Sequence, residues 1–181
     1  MSSRAFPLVR SLLLAAAVAA VAGQASAQAN ANQPTTTTGT IFQPILLAKN
    51  SDLSFGTVVR PTNGTGTVSI AASNGQRALT GAGALLNSGP NAPPSRATYT
   101  ITGEGGQSFS VTTPPNFSMT RTGGSETILV TLTPTITSGQ LSGSLGGAGT
   151  TAFGVGGSLA ISNNTPSGAY VGTFNVVVAY N

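Results

Sequence analysis

Ala97-Thr98-Tyr99-Thr100-Ile101-Thr102 decides how this chain is read. Apolar residues fall on every second position and threonine fills the others, which is the period of a strand with one buried and one wet face. A helix would scatter the same three apolar residues around its circumference. The pattern recurs outward in both directions. Upstream lie Leu53, Phe55 and Val59, then Val68 and Ile70; downstream come Phe109 and Val111, then Ile128, Val130 and Leu132. Phe153, Val155, Leu159 and Ile161 share one face, with Gly157 between them. The final run reads as the longest strand, with Tyr170, Phe174, Val176, Val178 and Tyr180 on one face.

Turn chemistry separates these runs: Asn63-Gly64, Asn74-Gly75, Pro93-Pro94, Pro114-Pro115, Gly123-Gly124 and Ser167-Gly168. Asn-Gly supplies the positive φ angles of tight turns. Thr102 to Gln107, lying between two alternating runs, reads as a hairpin, and the Gly-rich stretches 80–95 and 137–150 read as loops between or across sheets. No helical window follows the N-terminal segment. The expectation is one all-β domain, an immunoglobulin-like Greek-key β-sandwich of about seven to nine strands, with a closed barrel as the alternative.

Composition narrows the chemistry. Charged residues make up 6% of the 181-residue chain, against roughly 25% in an ordinary domain. His, Cys and Trp are absent, which removes imidazole bases, thiol nucleophiles, thiolate or imidazole metal sites and disulfides. Residues 1–27 carry Arg4 and Arg10, an apolar run over 11–22 and the small-residue Ala25-Ser26-Ala27, the layout of a cleaved signal peptide. The apolar run is shorter than the roughly 20 residues a spanning helix needs. The reading is therefore of an exported protein, in the periplasm, on the cell surface or extracellular, with no membrane span in the mature chain. Residues 28–40 form a polar, flexible lead and 41–181 the domain. Arg60, Arg77, Arg96 and Arg121 stand singly, so no basic track for nucleic acid is expected.

Only Asp52, Glu104 and Glu126 are acidic. Glycoside cleavage needs two carboxylates across the scissile bond, and Glu104 and Glu126 sit in or beside Gly-rich turns, where a carboxylate is ordinarily solvated. Lys49, just before a strand, reads as a surface charge. No catalytic residue, metal or cofactor is assigned, and the chain is read as a non-enzyme.

The ending, Gly168-Ala-Tyr170-Val-Gly-Thr-Phe174-Asn-Val176-Val-Val178-Ala-Tyr180-Asn181, resembles the last strand of chaperone–usher pilus subunits and spore-coat-U-like proteins, with a penultimate aromatic and a glycine fourteenth from the end. Leu53-Ser54-Phe55-Gly56 resembles the L-x-F-G of the spore-coat-U-like branch. L-x-F-G-x-V-V-x-P from Leu53, the Thr-Gly-Glu-Gly turn at Thr102, F-x-V-G-G-x-L from Phe153 and the ending together resemble the exported bacterial family called domain of unknown function 4402. The absence of a cysteine pair departs from many pilus subunits.

Likeness to pilus subunits implies assembly by strand addition, in which one chain's extension completes a neighbour's sandwich. Ile41-Phe42-Gln43-Pro44-Ile45-Leu46-Leu47 is the candidate donor, with Ile41, Ile45 and Leu47 on one face and Phe42 and Leu46 on the other. The same segment reads first as the domain's own edge strand, where Pro44 is tolerated, and donation in trans is the second reading. Gly168, Tyr170, Phe174, Val176, Val178 and Tyr180 form the candidate terminal-strand motif and read otherwise as ordinary core. The expected function is a structural subunit of a pilus-like or cell-surface assembly, whose partners are copies of itself or a periplasmic chaperone. The alternative is a surface module that binds a glycan or other ligand through exposed aromatics, with Phe117 the one aromatic outside a clear strand run.

Overall fold

Ala148–Ser162 forms a 15-residue strand, β11, and the sheet is assembled along it. The computed structural model describes residues 31–87, 89 and 93–181; the expected signal peptide lies outside them. The chain divides into two units, 1–39 and Thr40–Asn181. Described residues of the first, 31–39, are exposed and carry no regular structure.

One edge of β11 is covered end to end by two strands: β6 (Ala97–Glu104) pairs with its first half and β3 (Thr65–Ile70) with its second. Its other edge pairs with β9 (Thr127–Pro134). Outward from these lie β1 (Leu46–Ser51) on β6, β4 (Arg77–Gly81) on β3, and β8 (Asn116–Arg121) followed by β12 (Tyr170–Val171) on β9. All eight are antiparallel to their neighbours. β3 and β6 meet where β11 passes from one to the other. A Cβ at Gly156 would strike the Ile70 carbonyl there, so glycine is what lets the two strands abut.

Two smaller sheets cover the inner face. β10 (Ser138–Gln140), β7 (Ser108–Thr112) and β13 (Val177–Tyr180) form one; β2 (Thr57–Val59) and β5 (Ala84–Leu86) form the other. The core joins all layers in one cluster, including Val68, Ile101, Phe109, Val130, Val155 and Ile161. Tyr99 and Phe153, paired across β6 and β11, stack with centroids 5.2 Å apart. Each such side chain contributes about 1.5–3 kcal/mol when fully buried.

The antiparallel all-β sandwich matches expectation, and no helix occurs among the described residues. The described residues form thirteen strands, more than foreseen, because the covering layer is built from short pieces. Asn74-Gly75 and Gly123-Gly124 do close hairpins, β3–β4 and β8–β9, with Gly75 and Gly123 at φ 76°. Thr102 to Gln107 does not. The Gln107 amide donates to the Glu104 carbonyl to make a turn, but β7 leaves β6 and pairs with β10 and β13 in the other layer. The stretches read as loops hold β5 and β10.

The final run is neither the longest strand nor one strand. It splits into β12, on the main sheet, and β13, on the covering layer, with Gly172 to Val176 off both ladders. The crossing needs Gly172, where a Cβ would meet the Ser118 carbonyl and the Met119 backbone.

Candidate assembly site

Between the chain at Asp52–Val58 and the chain at Thr165–Val171 lies a cleft of about 470 Å³. Met119 of β8, Ile128 of β9 and Leu159 and Ile161 of β11 line it from the inner face of the main sheet. Ile128, Leu159 and Ile161 follow from the strand alternation of the sequence, whereas Met119 is placed by β8, a strand the sequence did not mark. The Arg60 guanidinium bridges the two sides, donating to the Thr165 carbonyl at 2.9 Å. On the first side, Arg77 donates from Nη1 to the Phe55 and Thr57 carbonyls, both at 3.0 Å, fixing the bend at Gly56 (φ 66°). Among the described residues β2 pairs with β5 alone, and its other edge carries no ladder to any of them.

The candidate donor segment lies against its own domain. Leu46 and Leu47 open β1 and pair with Thr102 and Ile101 of β6. Ile45 and Leu47 pack on the core, whereas Ile41 is 93% exposed and Leu46 and Phe42 are largely outside. The outer edge of β1 is guarded: Pro44 precedes it, and the register shifts between Lys49 and Ser51. Lys49 Nζ is 2.5 Å from Asp52 Oδ1, and that hydrogen bond raises the lysine pKa.

The terminal motif keeps its alternation even where its ladder is broken. Tyr170, Phe174, Val176, Val178 and Tyr180 are all half-buried, and Phe174, Val176, Val178 and Tyr180 pack against the core. Tyr170 lines the cleft, and its hydroxyl donates to the Pro166 carbonyl at 2.9 Å. Gly168 (φ 150°) sits beside the Arg121 side chain, into which a Cβ would press. Phe117 is not a free aromatic; it lies in β8 with its ring 5.1 Å from that of Phe174.

The three carboxylates have separate partners. Glu126 accepts from Arg121 Nε at 2.8 Å; hydrogen bonding from its own amide, then Arg121, lowers its pKa. Glu104 departs from the expectation of a solvated turn residue, being 1% exposed. Oε2 accepts the Gln43 amide at 3.0 Å and Oε1 the Gly146 amide at 2.5 Å. These bonds lower its pKa, Gln43 first, against the opposing effect of burial. The sequence signal was the glycine at 103, 105 and 106 together with a second cluster at 143, 146, 147 and 149, which lets backbone amides close on a carboxylate. Among the described residues, no cluster of three or more Asp or Glu is placed to hold a metal, and no helix is long and apolar enough to cross a membrane.

No curated protein and no solved structure matches this chain. Residues 45–180 match the family described as Domain of unknown function (DUF4402), from just before β1 to the end of β13. Since the match takes in every strand of the sandwich, the chain belongs to the DUF4402 family.

Proposed function

We propose that this protein is an exported, non-enzymatic structural subunit of a pilus-like or cell-surface assembly, joined to its neighbours by β-strand pairing. The carrying observation is the interrupted covering layer. Among the described residues β2–β5 and β10–β7–β13 share no ladder, and beside the β2 edge that none of them pairs lies a cleft with an apolar lining. An incomplete layer leaves apolar surface and ladder groups exposed together, and one inserted strand with alternating apolar residues satisfies both. Ile41–Leu47 of a neighbouring copy has that alternation, and donation in trans requires its release from β6.

The test is light scattering on the mature protein, with and without Met119→Lys. Concentration-dependent oligomers that disappear in the folded variant, and that a peptide spanning 40–47 also dissolves, support the proposal. Oligomers unchanged by a folded Met119→Lys variant count against the cleft as acceptor. A second reading is favoured by the cleft itself, whose 470 Å³ falls in the range of about 300–1,000 Å³ for small-molecule sites. A monomer at all concentrations would turn the search to an apolar ligand.

A further inference from the structure

Three stretches far apart in the chain meet at one buried carboxylate. Glu104 accepts the amides of Gln43 and Gly146, while its own amide donates to Tyr180 Oη at 2.6 Å. The Tyr180 hydroxyl in turn donates to the Gln43 carbonyl at 2.9 Å. The ring of Phe42 stands edge-on to that of Tyr180, centroids 6.0 Å apart. Residue 43 is thus held through both of its backbone groups, one to Glu104 and one to Tyr180. This matters because β1 begins its ladder only at Leu46, so 41–45 have no strand pairing to hold them. Glycine makes the site possible: a Cβ at Gly103 would collide with Tyr180 Oη, and one at Gly105 with the backbone at Ser144 and Gly147.

We propose that Glu104 is a latch: its carboxylate clamps Ile41–Ile45 against the domain, and loss of that carboxylate frees the segment while the sandwich stays folded. The latch stands on this geometry; its consequence for assembly rests on the reading of Ile41–Leu47 as a strand that can be donated. An ionised carboxylate offers acceptors to both amides, whereas a protonated acid or an amide presents a donor to one of them. Stretches 41–45, 103–107 and 141–149 contain no other titratable side chain, and 177–181 adds Tyr180 and the carboxyl of Asn181. Because the folded pKa is depressed, the clamp is fully present above the ordinary 4.5 and is lost as pH falls through the lower folded value. At neutral pH the latch is shut, and a neighbour must compete with it.

Amide exchange at residue resolution tests this on the mature protein at neutral pH, comparing native, Glu104→Gln and Tyr180→Phe chains. The expected result is exchange at Gln43 at least about tenfold faster in Glu104→Gln, corresponding to about 1.4 kcal/mol, with β11 amides unchanged. Tyr180→Phe, which keeps the ring and removes the hydroxyl, loosens the same amide by a smaller factor. Unchanged exchange at Gln43 in both variants overturns the latch. So does acceleration at Gln43 and β11 together, which would make Glu104 a part of the general core. Should Glu104→Gln fail to fold, unchanged exchange at Gln43 in Tyr180→Phe overturns the proposal on its own. Light scattering on the same samples separates the two readings: a loosened segment in a chain that stays monomeric upholds the latch and removes strand donation.

Discussion

The region around Glu104 and the region around the cleft share the core of one sandwich, yet one is closed and the other open. At Glu104 the covering strand β13, the segment before β1 and the loop at Gly146 converge, and every polar atom of the carboxylate has a partner. At the cleft, the two sides are bridged by the hydrogen bond from Arg60, just beyond Asp52–Val58, to the Thr165 carbonyl. The difference shows that apolar alternation alone does not close a sandwich. Closure here depends on a few backbone-directed polar contacts, and where they are sparse the inner face of the sheet is left partly accessible, at Met119 and Ile128.

The sharpest way to break this contrast is to cut one side chain from each region. Phe109 is fully buried, and Phe109→Ala should cost about 3–5 kcal/mol in denaturant unfolding. Met119, half-buried at the cleft, should cost under about 2 kcal/mol when cut to alanine, at or below the low end for buried methionine. Equal losses would mean that the cleft is as tightly packed as the core. Next in size is Gly156→Ala at the junction of β3 and β6, with an expected loss of about 1–3 kcal/mol from overpacking. A neutral result in urea melts would show that the two strands can separate along β11. Arg60→Ala should remove about 1 kcal/mol or less but raise amide exchange at Thr165, leaving Gln43 unaffected. If both regions respond, they are not independent. Smallest of all, Asp52→Asn breaks the exposed pair with Lys49 and should leave the thermal midpoint unchanged at low and high salt.

What the residues disclosed was local. The parities of Tyr99, Ile101, Val130, Val155 and Ile161 marked the buried face because a strand places alternate residues on opposite sides. Asn74-Gly75 and Gly123-Gly124 gave hairpins because the turn itself sets the geometry. The turn after Thr102 misled for a related reason: turn residues specify a reversal of direction, and say nothing of which sheet receives the next strand. The terminal motif kept its parity from Tyr170 to Tyr180, so the alternation hid the change of layer at Gly172. The cleft was legible only as three separate apolar positions, Ile128, Leu159 and Ile161, with Met119 outside any run read as a strand, since it arises from strands that fail to meet. Glu104 was missed because burial of a carboxylate depends on distant amides, here from residues 43 and 146.

The meeting of Gln43 and Tyr180 also decides how the domain would carry a mechanical load. Tension applied between the chain preceding β1 and the chain following β13 enters and leaves at neighbouring points, so the hydrophobic core lies outside the direct line of pull. At one end the first bonds in that line are the two that hold Gln43, after which β1 can peel from β6 one residue pair at a time. At the other end the first is the Asn181 amide on the Ser108 carbonyl, followed by the β13 ladder on β7, so edge pairings meet the load at both ends.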